Sequence, residues 1–206
     1  MAPPAYLLEL DIRHRLGAAV LPAIALTLVL PLASAGAATT KPITKSVSDP
    51  AGDVVYTPID GFTPTGPPDW ADLLNVTYTV SKGDNLKVTT QVADMPEAGV
   101  VGTGWGVVGT VTLPDGRQKP LNAGVGSADN AVSAYVGSKQ CGDAGSFSPA
   151  TNIVVLKIDF SPCVDGRAVV RLYAKGSVSG AKTAGEDTYY EPVYVDTTAT
   201  KKFRLR

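Results

Sequence analysis

"DLLNVTYTVSKGDNLKVTTQVAD", residues 72–94, decides the fold. Leu74, Val76, Tyr78 and Val80 alternate with Asn75, Thr77 and Thr79, which is the period of a half-buried strand. "SKGDN" then supplies Gly and Asn for a turn. Leu86, Val88, Thr90 and Val92 repeat the alternation on the far side. The two runs predict an antiparallel hairpin with one buried face and one wet, Thr-rich face.

The same reading extends downstream. "WGVVGTVTL" (105–113) places Trp105, Val107, Val111 and Leu113 on one face, and Gly104, Gly106 and Gly109 within it point to a bulge or a close backbone approach. "PDGR" invites a partner strand near 118–125. Further strands are expected at 131–137, 153–160, 168–175, 189–195 and 202–205, with "VDGR" joining the third last to its predecessor. "IVVLKIDF" is apolar on both faces at its start and belongs inside a sheet. No segment carries a sustained 3.6-residue apolar period, and turn signals recur every ~8–12 residues. The expected fold is all-β: a single two-sheet antiparallel β-sandwich, jelly-roll-like, with eight or nine strands.

Upstream, the chain changes character. Arg13, His14 and Arg15 precede the apolar run "LGAAVLPAIALTLVLPL", and small residues follow in "ASAGAATT". This is the pattern of a secretory signal peptide, with exits at Ala35 or Ala38. An uncleaved anchor is the competing reading, and Pro22 and Pro31 argue against it. The expected organisation is a signal peptide at 1–38, a Gly/Pro-rich extended entry with little regular structure at 39–68, and the sandwich at 69–206. Such a chain is secreted, and nothing in it holds to a membrane once the signal is removed.

Composition excludes several functions. Charges of both signs are interspersed and the formal net charge is −1, so there is no basic stripe for nucleic acid. The single histidine, His14, lies in the signal, which removes Ser-His-Asp and Cys-His catalysis and every His-ligated metal. Beyond the signal the only glutamates are Glu97, Glu186 and Glu191, and none sits mid-strand among aromatics as a glycosidase carboxylate pair would. No enzyme is expected. Cys141 and Cys163 are the only cysteines, and export puts them in an oxidising compartment where one disulfide is expected. It would pin the "KQCGDAGSFSPATN" loop to a sheet edge.

The segment 48–74 holds five aspartates among Gly and Pro. Ca²⁺ takes six to eight oxygen ligands, and Asp on a Gly-kinked backbone supplies them. Asp49, Asp53 and Asp72 are the candidate ligands, with Asp69 next. Plain turn chemistry accounts for the same residues without an ion, because Asp before Pro starts a turn. The sequence leaves both readings open.

"DPAGD", the "DLLNVTYTV" strand, the "DNL" hairpin, the "VAD" exit and the Gly-rich Trp strand resemble exported bacterial β-sandwich domains, namely DOMON-type domains and family 9 carbohydrate-binding modules. The likeness covers roughly Asp49 to Leu113. It implies a jelly-roll-like sandwich, a structural Ca²⁺, and binding of sugars or, in some members, haem. Haem-binding members use a Met/His pair, and here Met95 stands without a histidine, so no haem is expected. Sugar-binding members use paired tryptophans, and Trp70 and Trp105 are the candidates. Trp105 shares a face with Val107 and Val111 and so also fits the core.

"EDTYYEPVYVD" adds Tyr189, Tyr190 and Tyr194 beside Glu186, Asp187, Glu191 and Asp196. An exposed aromatic plane among hydrogen-bonding groups is what a sugar platform requires. Strand alternation puts Tyr189 and Tyr190 on opposite faces, and Tyr190 and Tyr194 on one, so one tyrosine is expected in the core while the other face could bind a ligand. The expected function is an exported, non-catalytic binding module for an extracellular or cell-wall glycan. The alternative is a structural or protein-interaction module of the cell envelope.

Overall fold

The computed structural model describes residues 41–81 and 83–205. The expected signal peptide, 1–38, lies outside them. Within them the chain forms fourteen strands: β1 (Ile43–Ser48), β2 (Val55–Tyr56), β3 (Thr63–Pro64), β4 (Leu73–Ser81), β5 (Asn85–Val92), β6 (Thr103–Thr112), β7 (Gln118–Gly126), β8 (Val132–Val136), β9 (Lys139–Gln140), β10 (Gly142–Ser148), β11 (Ile153–Asp159), β12 (Val169–Ala184), β13 (Asp187–Thr197) and β14 (Lys201–Arg204). A short 3₁₀ turn, Pro68–Trp70, leads into β4. No helix among the described residues is long and apolar enough to cross a membrane.

Two antiparallel sheets pack face to face. One has the order β1-β4-β5-β11-β10, and the other β2-β13-β12-β6-β7-β8-β9, with β3 and β14 also paired to β12. The inward rows of both sheets interlock into one core. Val76, Tyr78, Leu86, Val88, Leu156 and Ile158 from the first sheet meet Trp105, Val107, Val111, Leu121, Val170 and Leu172 from the second. This is the β-sandwich that the alternating pattern implies.

The hairpin of residues 72–94 is β4–β5, and Val76, Tyr78, Val80, Leu86, Val88, Thr90 and Val92 are all buried. Leu74 departs from the expected inward row. The register shifts between Leu73 and Asn75, so Leu73 takes the fully buried place and Leu74 is only half-buried. A bulge of this kind moves one residue across the sheet at the strand's start. The glycines of β6 are close approaches, as expected. A Cβ on Gly106 would lie 2.2 Å from the Ala123 carbonyl oxygen of β7, and one on Gly109 would lie 2.0 Å from that of Arg171 on β12.

The strand number exceeds the expected eight or nine because local alternation does not reveal strands that form only by pairing. β2, β3 and β9 are two residues each. The entry segment, expected to have little regular structure, gives β1 to the first sheet and β2 and β3 to the second. The expected Cys-containing loop is largely β10, an edge strand on β11. Its run of small and polar residues hides the period. β11 lies inside its sheet between β5 and β10. The "VDGR" turn does not close a hairpin, because β11 and β12 belong to different sheets.

Cys141 and Cys163 form a disulfide. Cys141 sits where the chain crosses from β9 to β10, and Cys163 sits on the return crossing from β11 to β12. The bond therefore joins two inter-sheet connections. A loop of this size adds about 3 kcal/mol in the chain-entropy model.

Candidate metal centre

The site assembles at the end of the sandwich where β4 begins. "DPAGD" leaves β1 and turns at Gly52, whose φ of +81° favours glycine. The turn is held at both sides. Asp49 donates its N–H to the Leu74 carbonyl at 3.0 Å, and Gly52 donates its N–H to Asp72 Oδ2 at 2.8 Å.

Asp72 precedes β4 and is 3% exposed. Its carbonyl accepts from Ala93 N–H, which fixes it against the end of β5. The fourth carboxylate arrives from the other sheet. Asp196 on β13 pairs with Gly176 on β12. A Cβ on Gly176 would lie 2.1 Å from the Ala71 carbonyl oxygen, so only glycine lets the segment before β4 rest there. That approach lets Leu73 N–H donate to Asp196 Oδ2 at 2.7 Å. Asp196 Oδ1 accepts from Thr197 N–H at 2.6 Å.

Asp53, Asp72 and Asp196 each bring one carboxylate oxygen within 4.8 Å of the other two. Asp72 and Asp196 are buried, and Asp53 is exposed on the open side. Asp49 stands beside them. Burial pushes its carboxyl up to about 6, with repulsion from Asp196, Asp53 and Asp72 adding to the effect. Burial also raises Asp196, and the charges of Asp53 and Asp72 raise it further, against the two backbone N–H donors that hold its ionised form. No lysine or arginine among the described residues pairs with any of the four.

Two oxygens are left over. Asp49 Oδ2 and Asp72 Oδ1 are buried with no hydrogen-bond partner. A buried carboxylate oxygen without a donor or a cation carries a large desolvation cost. Four carboxylates with two orphaned oxygens and no neutralising side chain are a set that can hold a metal ion.

Three of the four aspartates expected as ligands meet here, Asp49, Asp53 and Asp72. Asp69 does not. It is exposed in the 3₁₀ turn, and its contribution is a carbonyl that accepts from Asp72 and Asp94 N–H. Asp196 was legible only as a neighbour of the tyrosines, because a contact across 123 residues leaves no local signal.

The aromatic candidates separate. Trp105 is 2% exposed and lies in the core, 5.5 Å from the Phe147 ring, and its indole N–H donates to the Trp70 carbonyl at 2.8 Å. It offers no surface, so the paired-tryptophan platform does not form. Trp70 is half-buried, and its ring occupies the space that a Cβ on Gly66 would need.

The tyrosines remain at the surface. Tyr189 and Tyr190 are exposed on the β12–β13 hairpin. The register shifts between Val178 and Ser179 on β12, so Tyr194 pairs with Val178 while Tyr190 pairs with Ala181. Val178 and Ala181 face opposite ways, hence Tyr190 and Tyr194 do too, contrary to the simple alternation. Tyr189, opposite Lys182, shares the face of Tyr194. Tyr56 on β2 pairs with Tyr194, and their rings lie 4.9 Å apart at 35°. Nothing in the sequence pattern marked Tyr56, since β2 is only two residues long.

No protein-family model matches the chain, and no curated protein matches it significantly.

Proposed function

We propose that the chain is an exported, non-catalytic β-sandwich module that binds an extracellular or cell-wall glycan and carries a structural Ca²⁺. The observation that carries this reading is the exposed aromatic surface beside the carboxylate cluster. Val55 and Tyr56 on β2 are exposed two and three residues after Asp53, and Tyr56 meets Tyr194, two residues before Asp196; Tyr189 and Tyr190 extend the exposed aromatic surface farther along β13, at the hairpin end. Tyrosine planes ringed by polar groups suit the mixed apolar and hydroxyl surface of a sugar.

The donor chemistry supports calcium. Every candidate ligand is a carboxylate oxygen, and the two cysteines are consumed in the disulfide. Oxygen-only sets suit hard cations. Ca²⁺ accepts six to eight oxygens in irregular geometry, which suits carboxylates brought from separate segments better than the near-ideal octahedron that Mg²⁺ demands. The disulfide suits an oxidising compartment, in keeping with export.

The test is co-sedimentation of the Ca²⁺-loaded protein with insoluble polysaccharides and cell-wall preparations. Retention released by a soluble oligosaccharide is the expected result. Absence from every pellet would end the glycan reading.

An envelope protein-interaction module is the second reading. β1 favours it: a six-residue edge strand, exposed at every position but Val47 and paired only to β4. Such an edge is a template for strand addition. Capture of one envelope protein by the wild type, lost when Ser46 is replaced by proline, would select it.

A further inference from the structure

We propose that the metal ion and the Tyr56–Tyr194 pair form one composite site, in which the ion takes neighbouring hydroxyls of a neutral glycan while a tyrosine ring carries the sugar's C–H face. This rests on the glycan reading above and names where and how the glycan binds.

The first argument is ligand number. Ca²⁺ takes six to eight oxygens. Asp53, Asp72 and Asp196 each offer one at the cluster, and Asp49 stands next to them with a buried oxygen unused. One-oxygen contacts from all four leave positions on the ion for oxygens from elsewhere. The buried members, Asp72 and Asp196, close the inner side, so the remaining positions face outward past exposed Asp53.

The second argument is placement. Tyr194 is two residues from Asp196 on β13, and their partners Val178 and Gly176 lie on the same face of β12. Two residues along a strand span about 7 Å, the width of one sugar ring beside an ion. Tyr56 follows Asp53 by three residues and meets Tyr194 directly. Tyr56 is 50% exposed, so part of its ring is free for a partner. Each tyrosine is thus held close to its own carboxylate by a short stretch of backbone.

The third argument is charge, which selects the ligand. Four carboxylates stay negative overall after one divalent ion binds. A phosphate or uronic acid would approach against that field. A neutral polyol meets no such repulsion and supplies hydroxyl oxygens to a hard ion.

The experiment uses the chain collected after export, and a neutral oligosaccharide found by glycan-array screening with Ca²⁺ present. Titration calorimetry then measures Ca²⁺ affinity with and without saturating oligosaccharide. Contact between ion and sugar requires that each tighten the other by the same factor, and at least fivefold is expected. Tyr56→Ala, a surface change on the loaded protein, should weaken the sugar by tenfold or more and leave Ca²⁺ affinity within about twofold. Equal Ca²⁺ affinity in both titrations, or full sugar binding by Tyr56→Ala, would overturn the composite site while leaving the glycan reading intact. No bound glycan in any form of the Ca²⁺-loaded protein would overturn that reading, and this one with it. Preference for acidic over neutral glycans would also overturn it.

Discussion

The backbone N–H of Leu73 donates to Oδ2 of Asp196 at 2.7 Å, joining the first residue of β4 in one sheet to β13 in the other. Asp196 thereby both closes the sandwich at this end and belongs to the carboxylate cluster. Closure and the candidate ion site share one side chain, so an ion bound there would be energetically coupled to closure.

Asp53→Asn should change sign with the ion. Asp53 is exposed and its charge raises both Asp49 and Asp196. In EDTA the substitution relieves repulsion and should raise the unfolding midpoint. In millimolar Ca²⁺ it removes a ligand and should lower the midpoint relative to wild type, because stabilisation by a ligand scales with affinity. Thermal unfolding under both conditions decides it, and a shift of one sign in both would show that the cluster holds no ion.

The pH dependence follows from Asp49. Its folded-state value of about 6 lies above the ordinary 3.8, so its ionisation opposes folding. Without metal, this group's contribution is most favourable below about pH 4 and is lost as pH rises through about 6. Metal binding runs the other way, since the ion must displace the proton. Ca²⁺ affinity should fall about fivefold between pH 6 and pH 5 through this group alone. Calorimetry at the two values, with proton release followed through buffers of different ionisation heat, measures it.

Gly176→Ala tests how the site is built. The new Cβ would meet the Ala71 carbonyl, which is backbone and cannot rotate away. Overpacking of this kind costs about 1–3 kcal/mol. Because Ala71 and Leu73 flank Asp72, Ca²⁺ affinity should fall along with stability. Gly116→Ala is the control: its φ is also positive where Gly176's is not, but no atom lies within 4 Å of its Cβ, so only stability should change.

Reduction of the disulfide should cost about 3 kcal/mol. It should add to the cost of removing calcium without interaction. The cluster adjoins the start of β4 at Leu73, whereas Asn85 and Asp159, which lead toward Cys163, align with its end at Ser81. Sites this far apart share no partner. A two-by-two series of denaturant midpoints, oxidised or reduced and with Ca²⁺ or EDTA, should give parallel shifts.

Side-chain alternation made nine of the fourteen strands legible, and with them the sandwich, but not the six-residue β1 or the seven-residue β10. It failed where register rather than period decides. The bulge at Leu73/Asn75 exchanged Leu74 for Leu73, and the one at Val178/Ser179 separated Tyr190 from Tyr194. Three of the four carboxylates of the candidate metal centre were legible, because they lie close together in the chain. "DPAGD" and Asp72 are near in sequence, and Gly52 and Asp49 tie them together locally. Asp196 joins them only through Gly176, whose lack of a side chain means nothing until the facing strand is known. The face that Trp105 shares with Val107 and Val111 favoured the core over a platform, and it is buried there.

The Cys141–Cys163 bond spans 22 residues and encloses β10 and β11. Under mechanical tension the load passes through the sulfur atoms and bypasses that hairpin. A single oxidised molecule drawn out between two handles should therefore stop short of its full extension by roughly 70 Å, the contour of the sequestered segment less the span across the bond. Adding reductant during the pull would release that length in one step, without any further strand having to tear from the sheets.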